Sequence, residues 1–322
     1  MKTRTLGRTG LSVSEIGFGA WGIGAAQWIG AEDQRSLRAL KAARQAGINF
    51  FDTALAYGDG HSEQLIRQAF GSDREIVVAS KIPPRDLVWP ARRGAPLAGV
   101  FPKRHVLSSL DRSLRNLGRE QIDLEQFHVW NDDWAAEAEW IETVEEMKRS
   151  GKARFVGISI NDHQPTNCLK ALATGLIDAV QVIFNLFDQS PQDELFPYCR
   201  EHNIGVIARV PFDEGSLTGN VRPGTEFAAG DFRNQYFQGE RRAEVWRRVQ
   251  AIAREASIAV EEMPSLALRF VLSALEVATV IPGMRDERHV AGNVAASDAG
   301  PLPPGMLRQL AQHRWVRNFY SP

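Results

Sequence analysis

An α/β fold built as a closed (β/α)8 barrel is what this sequence predicts, and three observations carry that prediction. Eight short apolar or β-branched runs recur along the 322 residues. Most are followed by a segment with helical apolar spacing. No internal repeat, low-complexity tract or linker divides the chain. Repeated strand–helix alternation implies a parallel sheet, and eight units close it into a barrel. Length divided by ~150 allows two domains, but α/β barrels reach this size as one. Residues 1–322 are therefore read as a single domain, and a hydrophobic content of 43% is enough for a large core.

Segment 2–13, with Gly7 and Gly10, reads as a hairpin closing the barrel floor. The strand-like runs are SEIGFGAW (14–21), INFFDT (48–53), EIVVASK (75–81), IDLEQFH (122–128), RFVGISI (154–160), DAVQVIF (178–184), GVIARV (205–210) and VATVIPG (277–283). Between them, Val106, Leu110, Leu114 and Leu117 form an apolar stripe, as do Val245, Val249, Ile252, Ala253 and Ala256. Gly47, Gly118, Gly151 and Gly205 sit where helices should end. Two stretches break the rhythm, 83–102 and 213–240, both too long for ordinary strand-to-helix loops. They are expected over the C-terminal face, either as plain surface excursions or as a cofactor clamp and a substrate lid.

The charge balance excludes several partners. A net charge of -1 argues against nucleic acid or a membrane surface. No apolar run approaches the ~20 residues of a membrane helix, and MKTRTLGRTG lacks the apolar stretch of a secretory signal. Cys168 and Cys199 have no CxxC spacing and read as packing residues in a reducing compartment. There is no HExxH and no Cys/His cluster, so no metal is expected. A cytoplasmic protein is the expectation, with monomer and homo-oligomer both left open.

Four residues at or just beyond strand ends have complementary chemistry: Asp52, Tyr57, Lys81 and His128. Barrel active sites lie at the C-terminal ends of strands. A free tyrosine titrates near ~10, a neighbouring ammonium lowers that value, and a carboxylate holds the ammonium in place. The histidine orients a substrate oxygen. Together they make a proton donor beside a carbonyl.

These positions and their surroundings resemble the aldo-keto reductase family. The resemblance runs through RTLGRTGLSVSEIGFGAW, FDTALAYGDGHSE, SLRNLGREQIDLEQFH and VIPGMRDERHVAGN, nearly the whole chain. It implies NADPH-dependent, reversible reduction of an aldehyde or ketone, with Tyr57 as general acid. No side chain supplies a hydride, so an external redox cofactor is required. There is no GxGxxG opening a helix, and the cofactor is expected across the barrel mouth.

By the same resemblance, Ser159, Asn161 and Gln181 hold the nicotinamide carboxamide, and Gly19, Ala20, Trp21, Pro211 and Gly283 line the cofactor. Backbone N–H groups of Gly215, Ser216, Leu217 and Gly219 meet the pyrophosphate. Arg285 takes the 2′-phosphate with help from Arg288 and His289, which favours NADP over NAD, and Asn293 contacts adenine.

The chain departs from the family pattern in three places. Ile160 separates Ser159 from Asn161. Arg209 stands where an aromatic residue usually stacks on the nicotinamide, and Gly292 replaces a customary Glu. Three readings of Arg209 stay open: stacking that favours the reduced cofactor, contact with a substrate anion, or pairing with Asp213 or Glu214.

Trp21, Trp28, Trp89, Trp130 and Trp134 lie in or near mouth loops, which suggests a bulky, cyclic or sugar-like carbonyl compound. The aromatic RWVRNFYSP at 314–322 is placed over the same opening. Two alternatives remain: a cofactor-binding regulatory subunit of the same fold with little turnover, and a barrel hydrolase, which lacks an identifiable carboxylate pair.

Overall fold

The computed structural model describes residues 1–25, 28–71 and 73–320. Two short strands, β1 (Thr3–Thr5) and β2 (Ser12–Ser14), form an antiparallel hairpin. Eight more follow: β3 (Phe18–Gly19), β4 (Phe50–Asp52), β5 (Val77–Ile82), β6 (Ile122–Phe127), β7 (Ala153–Ser159), β8 (Ala179–Ile183), β9 (Gly205–Arg209) and β10 (Val277–Val280). They pair in parallel, each with the next in sequence. Parallel bridges Ile16–Val280 and Gly19–Gly283 join the last strand to the first and close the barrel.

Around it lie α1 (Asp33–Gln45), α2 (His61–Phe70), α3 (Leu97–Val100), α4 (Lys103–Leu117), α5 (Ala138–Arg149), α6 (Leu169–Ala173) and α7 (Leu195–Glu201). The outer layer continues with α8 (Arg233–Tyr236), α9 (Arg241–Glu255), α10 (Met263–Leu272), α11 (Glu287–Ala299) and α12 (Pro304–Leu310). All eight predicted strand segments are strands, and both apolar stripes are helices whose stripes are buried, with Ala256 as the residue that ends α9. Gly118 ends α4 in the left-handed conformation expected of a terminal glycine. Gly205 does not end a helix. It opens β9, and the left-handed residue of that turn is Asn203 at φ 53°.

Alternation along the strands fills the barrel in layers. Phe50, Ala79, Leu124, Ala179 and Ile207 form an apolar floor together with Leu6, Leu11 and Val13 of the hairpin. The hairpin fits closely, since a Cβ on Gly7 would stand 2.3 Å from the Gly205 nitrogen. Two residues further along each strand, the interior turns polar: Asp52, Lys81, Gln126, Gln181 and Arg209, with Ser159 beside Gln181 in register. Polar residues inside a barrel are costly unless bonded. This second layer opens onto the mouth.

Candidate active site

Lys81 is fully buried at the end of β5, and all its donors are used. Nζ lies 2.5 Å from Asp52 Oδ1, 2.8 Å from the Thr53 carbonyl and 3.2 Å from the Tyr57 hydroxyl. Tyr57 sits on the turn after β4, partly buried, with its ring 5.7 Å from His128 and 6.3 Å from Trp21. The four residues singled out from the sequence meet in one place, and all but Lys81 line a single cleft of about 1750 Å3 across the barrel mouth.

The electrostatics differ from the sequence expectation in one respect. Burial raises the Tyr57 hydroxyl above its ordinary range, Lys81 pulls it back only in part, and Asp52 opposes Lys81. The ammonium does not bring Tyr57 toward neutrality, because its charge is shared with a carboxylate 2.5 Å away. Tyr57 therefore keeps its proton at neutral pH, the state a donor needs. Burial, Lys81 and Arg209 drive His128 well below the usual histidine range, so it is neutral, and its Nδ1 is buried without a partner. For Lys81 itself, burial is outweighed by Asp52 and Tyr57, and it stays charged.

Other predicted positions are sorted by the fold. Gly19, Trp21, Ser159, Asn161, Gln181, Arg209, Pro211, Gly215, Gly283, Arg285, Arg288, His289, Gly292 and Asn293 line the cleft. Ala20 does not: it is buried, its N–H donating to the Asp52 carbonyl. Ser216, Leu217 and Gly219 are also turned away from the cleft. The N–H groups of Gly215, Leu217 and Gly219 already donate to Phe212 and Ser216 carbonyls within a pair of tight turns. In this conformation they are not free for a pyrophosphate. Asn161 is likewise engaged, pinning the Trp130 backbone through both its oxygen (3.1 Å) and its nitrogen (2.8 Å).

Trp21 and Trp28 pack edge to face at the mouth, and Trp89 stands 5.6 Å from the His128 ring, 43% exposed. Trp130 is no part of the opening. It is fully buried against Phe127, Trp134 and Trp140, its indole N–H bonded to Asp132, and Trp134 is buried with it. A mouth loop carries the residue, but the ring turns into the layer between barrel and helices, where its apolar area is removed from water.

Arg209 pairs with neither Asp213 nor Glu214. It bonds Asp162 at 2.7 Å and the Ile160 carbonyl at 3.0 Å, leaving Nε buried and unpartnered. Asp213 is taken instead by Arg317, Tyr236 and Ser216, and Glu214 by the Tyr320 hydroxyl at 2.5 Å. Burial raises Glu214 to about 7. The C-terminal segment thus reaches the mouth, where Tyr320 lines the cleft; Ser321 and Pro322 of that segment lie outside the described residues. Phe232, Asp162 and Gln126 escaped the sequence reading, although alternation through IDLEQFH puts Gln126 on the same face as His128.

A barrel whose mouth holds this Asp–Lys–Tyr chain beside a neutral histidine matches a known pattern, and the model of the aldo/keto reductase family matches residues 15–314. The chain belongs to the aldo-keto reductase family. It is accordingly an oxidoreductase acting on carbonyl and alcohol groups. It is 28% identical to the NADH-specific methylglyoxal reductase of Escherichia coli over 97% of this chain and 99% of that one. The holo form of an aldo-keto reductase from Bacillus halodurans superposes with a TM-score of 0.77 at 27% identity, covering 99% of both chains. An aldo-keto reductase from Klebsiella pneumoniae in complex with NADPH superposes at 0.68 and 26%, over 98% of this chain and 96% of that one. Residues suited to a dinucleotide are present in the reductase cleft. Asn293 is buried there with its amide nitrogen unpartnered, and Arg285 lies 5.6 Å from the Trp28 ring, near Arg35 and Arg233.

Proposed function

We propose that this protein reduces an aldehyde or ketone with NADPH, with Tyr57 as the proton donor. The observation that carries this reading is the Lys81 ammonium, held by Asp52 and bonded to the hydroxyl of a protonated Tyr57 inside the cleft. Reduced nicotinamide, when bound, supplies the hydride for the carbonyl carbon. As the carbon–oxygen π pair moves to oxygen, the Tyr57 hydroxyl gives that oxygen its proton. Lys81 then stabilises the phenolate left behind. Neutral His128, its ring 5.7 Å from that of Tyr57 and steeply inclined to it, orients the carbonyl oxygen without competing as an acid. The same groups run alcohol oxidation in reverse, Tyr57 acting as base.

Preference for NADPH rests on charge. Arg285, Arg288 and Arg233 line the cleft with Arg35 just beside it, and Asp286 and Asp231 are the acids that answer them. A 2′-phosphate there completes the balance, and Arg gives it a bidentate partner. Stacking of the Arg209 guanidinium, which Asp162 holds at 2.7 Å, on the nicotinamide belongs to this reading, and it favours the reduced cofactor over the positively charged oxidised ring. Trp21 beside Tyr57 and Trp89 beside His128 frame an entrance suited to a bulky, cyclic or sugar-like substrate, and Trp28 meets Trp21 edge to face while its ring carries Arg233 and Arg285.

The test is a tryptophan-fluorescence titration with NADPH and NADH, repeated on Arg285→Ala. NADPH is expected to bind more tightly than NADH, and the variant to lose most of that difference. Equal binding of both by the parent would remove Arg285 as the selector. No binding of either would sink the reductase reading.

A further inference from the structure

Two glutamines of the second barrel layer hold the side of Asp52 that Lys81 leaves free. Asp52 Oδ1 accepts from Lys81, while Oδ2 accepts from Gln181 Nε2 at 2.7 Å. Gln126 backs this contact, taking the same Gln181 amide at 3.3 Å and approaching Oδ2 at 3.5 Å. Asp52, Lys81, Gln126 and Gln181 are all at most 2% exposed. Gln181 also lines the cleft, whereas Gln126 does not. We propose that Gln181, braced by Gln126, is a positioning residue for Asp52, and that it couples the nicotinamide seat to the proton donor. This rests on the reductase reading for the identity of the seat, though not for the Asp52 contact itself.

The physical argument concerns one carboxylate. With only Lys81 as partner, Asp52 is free to rotate and offer both oxygens to the ammonium, drawing its charge away from Tyr57. An amide on Oδ2 fixes the carboxylate plane and satisfies the second oxygen. The contact also fixes the amide's orientation. An amide oxygen turned toward Asp52 would be repelled, so Nε2 faces the carboxylate and Oε1 is left to accept from whatever occupies the cleft. A ligand that tightens on Oε1 therefore pulls on the Asp52–Lys81–Tyr57 chain from its far end. The charged and titratable groups facing Tyr57 are Asp52 from β4, Lys81 from β5, His128 after β6 and Arg209 from β9, and none of them is altered by changing a glutamine.

The experiment follows Tyr57 directly by ultraviolet difference titration near the phenolate band. Each spectrum is corrected by the same variant carrying Tyr57→Phe, and NADPH affinity is measured in parallel. Gln126→Leu is expected to bind NADPH within about twofold of the parent, because Gln126 lies outside the cleft. Its Tyr57 ionisation should move to higher pH by up to on the order of one unit. Gln181→Leu is expected to shift Tyr57 at least as far and to weaken NADPH as well. The alkaline limb of carbonyl reduction, where Tyr57 loses the proton it must donate, should move in step. Gln126→Met serves if the leucine variant does not fold. If Tyr57 titrates as in the parent, or at lower pH, in both glutamine variants, the positioning role is overturned and Gln181 is left as a cofactor contact alone. Failure of the parent to bind NADPH would overturn the reductase reading, while the Tyr57 titration would still decide this one.

Discussion

At Tyr57 the competition between burial and a shared ammonium is decided for burial, and the hydroxyl stays protonated. Replacing it with phenylalanine removes one oxygen and leaves the ring against Trp21 and His128. Tyr57→Phe should lose carbonyl reduction by at least about a hundredfold while keeping NADPH affinity, checked by steady-state assay beside fluorescence titration. A variant that kept most of its rate would move the acid elsewhere. Glu125 offers a second residue-scale test. It is fully buried behind Lys81, both its oxygens lack partners, and burial with nearby Glu63 raises it well above the carboxylate range. A group raised in the folded state contributes stability that is complete below its unfolded value, near ~4.3, and lost as pH rises through its folded one. Glu125→Gln should therefore match the parent in Tm at pH 4–5 and exceed it increasingly as pH rises. A gap that stayed constant with pH would mean that Glu125 is not protonated inside the fold.

Between elements, the loop after β9 and the C-terminal segment depend on each other. Asp213 and Glu214 both adopt left-handed backbone, at φ 49° and 55°, a conformation that costs non-glycine residues energy. Arg317 and Tyr236 bond Asp213 while Tyr320 bonds Glu214, so the strained turn is held by side chains from far along the chain. Arg317 also stacks between Trp315 and Phe319. Breaking a buried pair by removing one partner costs roughly 3–5 kcal/mol. Arg317→Ala should lower Tm and expose residues 314–320 to proteolysis well before the barrel is cut. Unchanged cleavage there would show that packing alone holds the segment down.

Over the whole molecule, one cleft of about 1750 Å3 holds both the entrance tryptophans and the arginine cluster, which meet where Arg285 and Arg233 lie over the Trp28 ring. That is larger than a site for one drug-sized ligand, and it suits a dinucleotide with a substrate beside it. No helix among the described residues is long and apolar enough to cross a membrane. The barrel uses strands from residue 18 to residue 280, closed by bridges between its first and last strands. A single cooperative unfolding transition is expected by calorimetry, with equal calorimetric and van't Hoff enthalpies. Two separated transitions would contradict the single-domain reading of residues 1–322.

The sequence by itself determined the strand–helix order, the barrel and the positions of Asp52, Tyr57, Lys81 and His128. Each of these depends on short-range alternation or on a motif within a few residues, and such signals survive without three-dimensional context. Tertiary structure alone decided which partners those residues meet. Gln181 reaches Asp52 across 129 positions, Arg317 reaches Asp213 across 104, and Arg209 chose Asp162 over the nearer Asp213 and Glu214. It also turned Trp130 inward and committed the loop N–H groups to their own turns. Balances of this kind, a charge against its burial or a ring against the space available, are settled by atoms that only folding brings together.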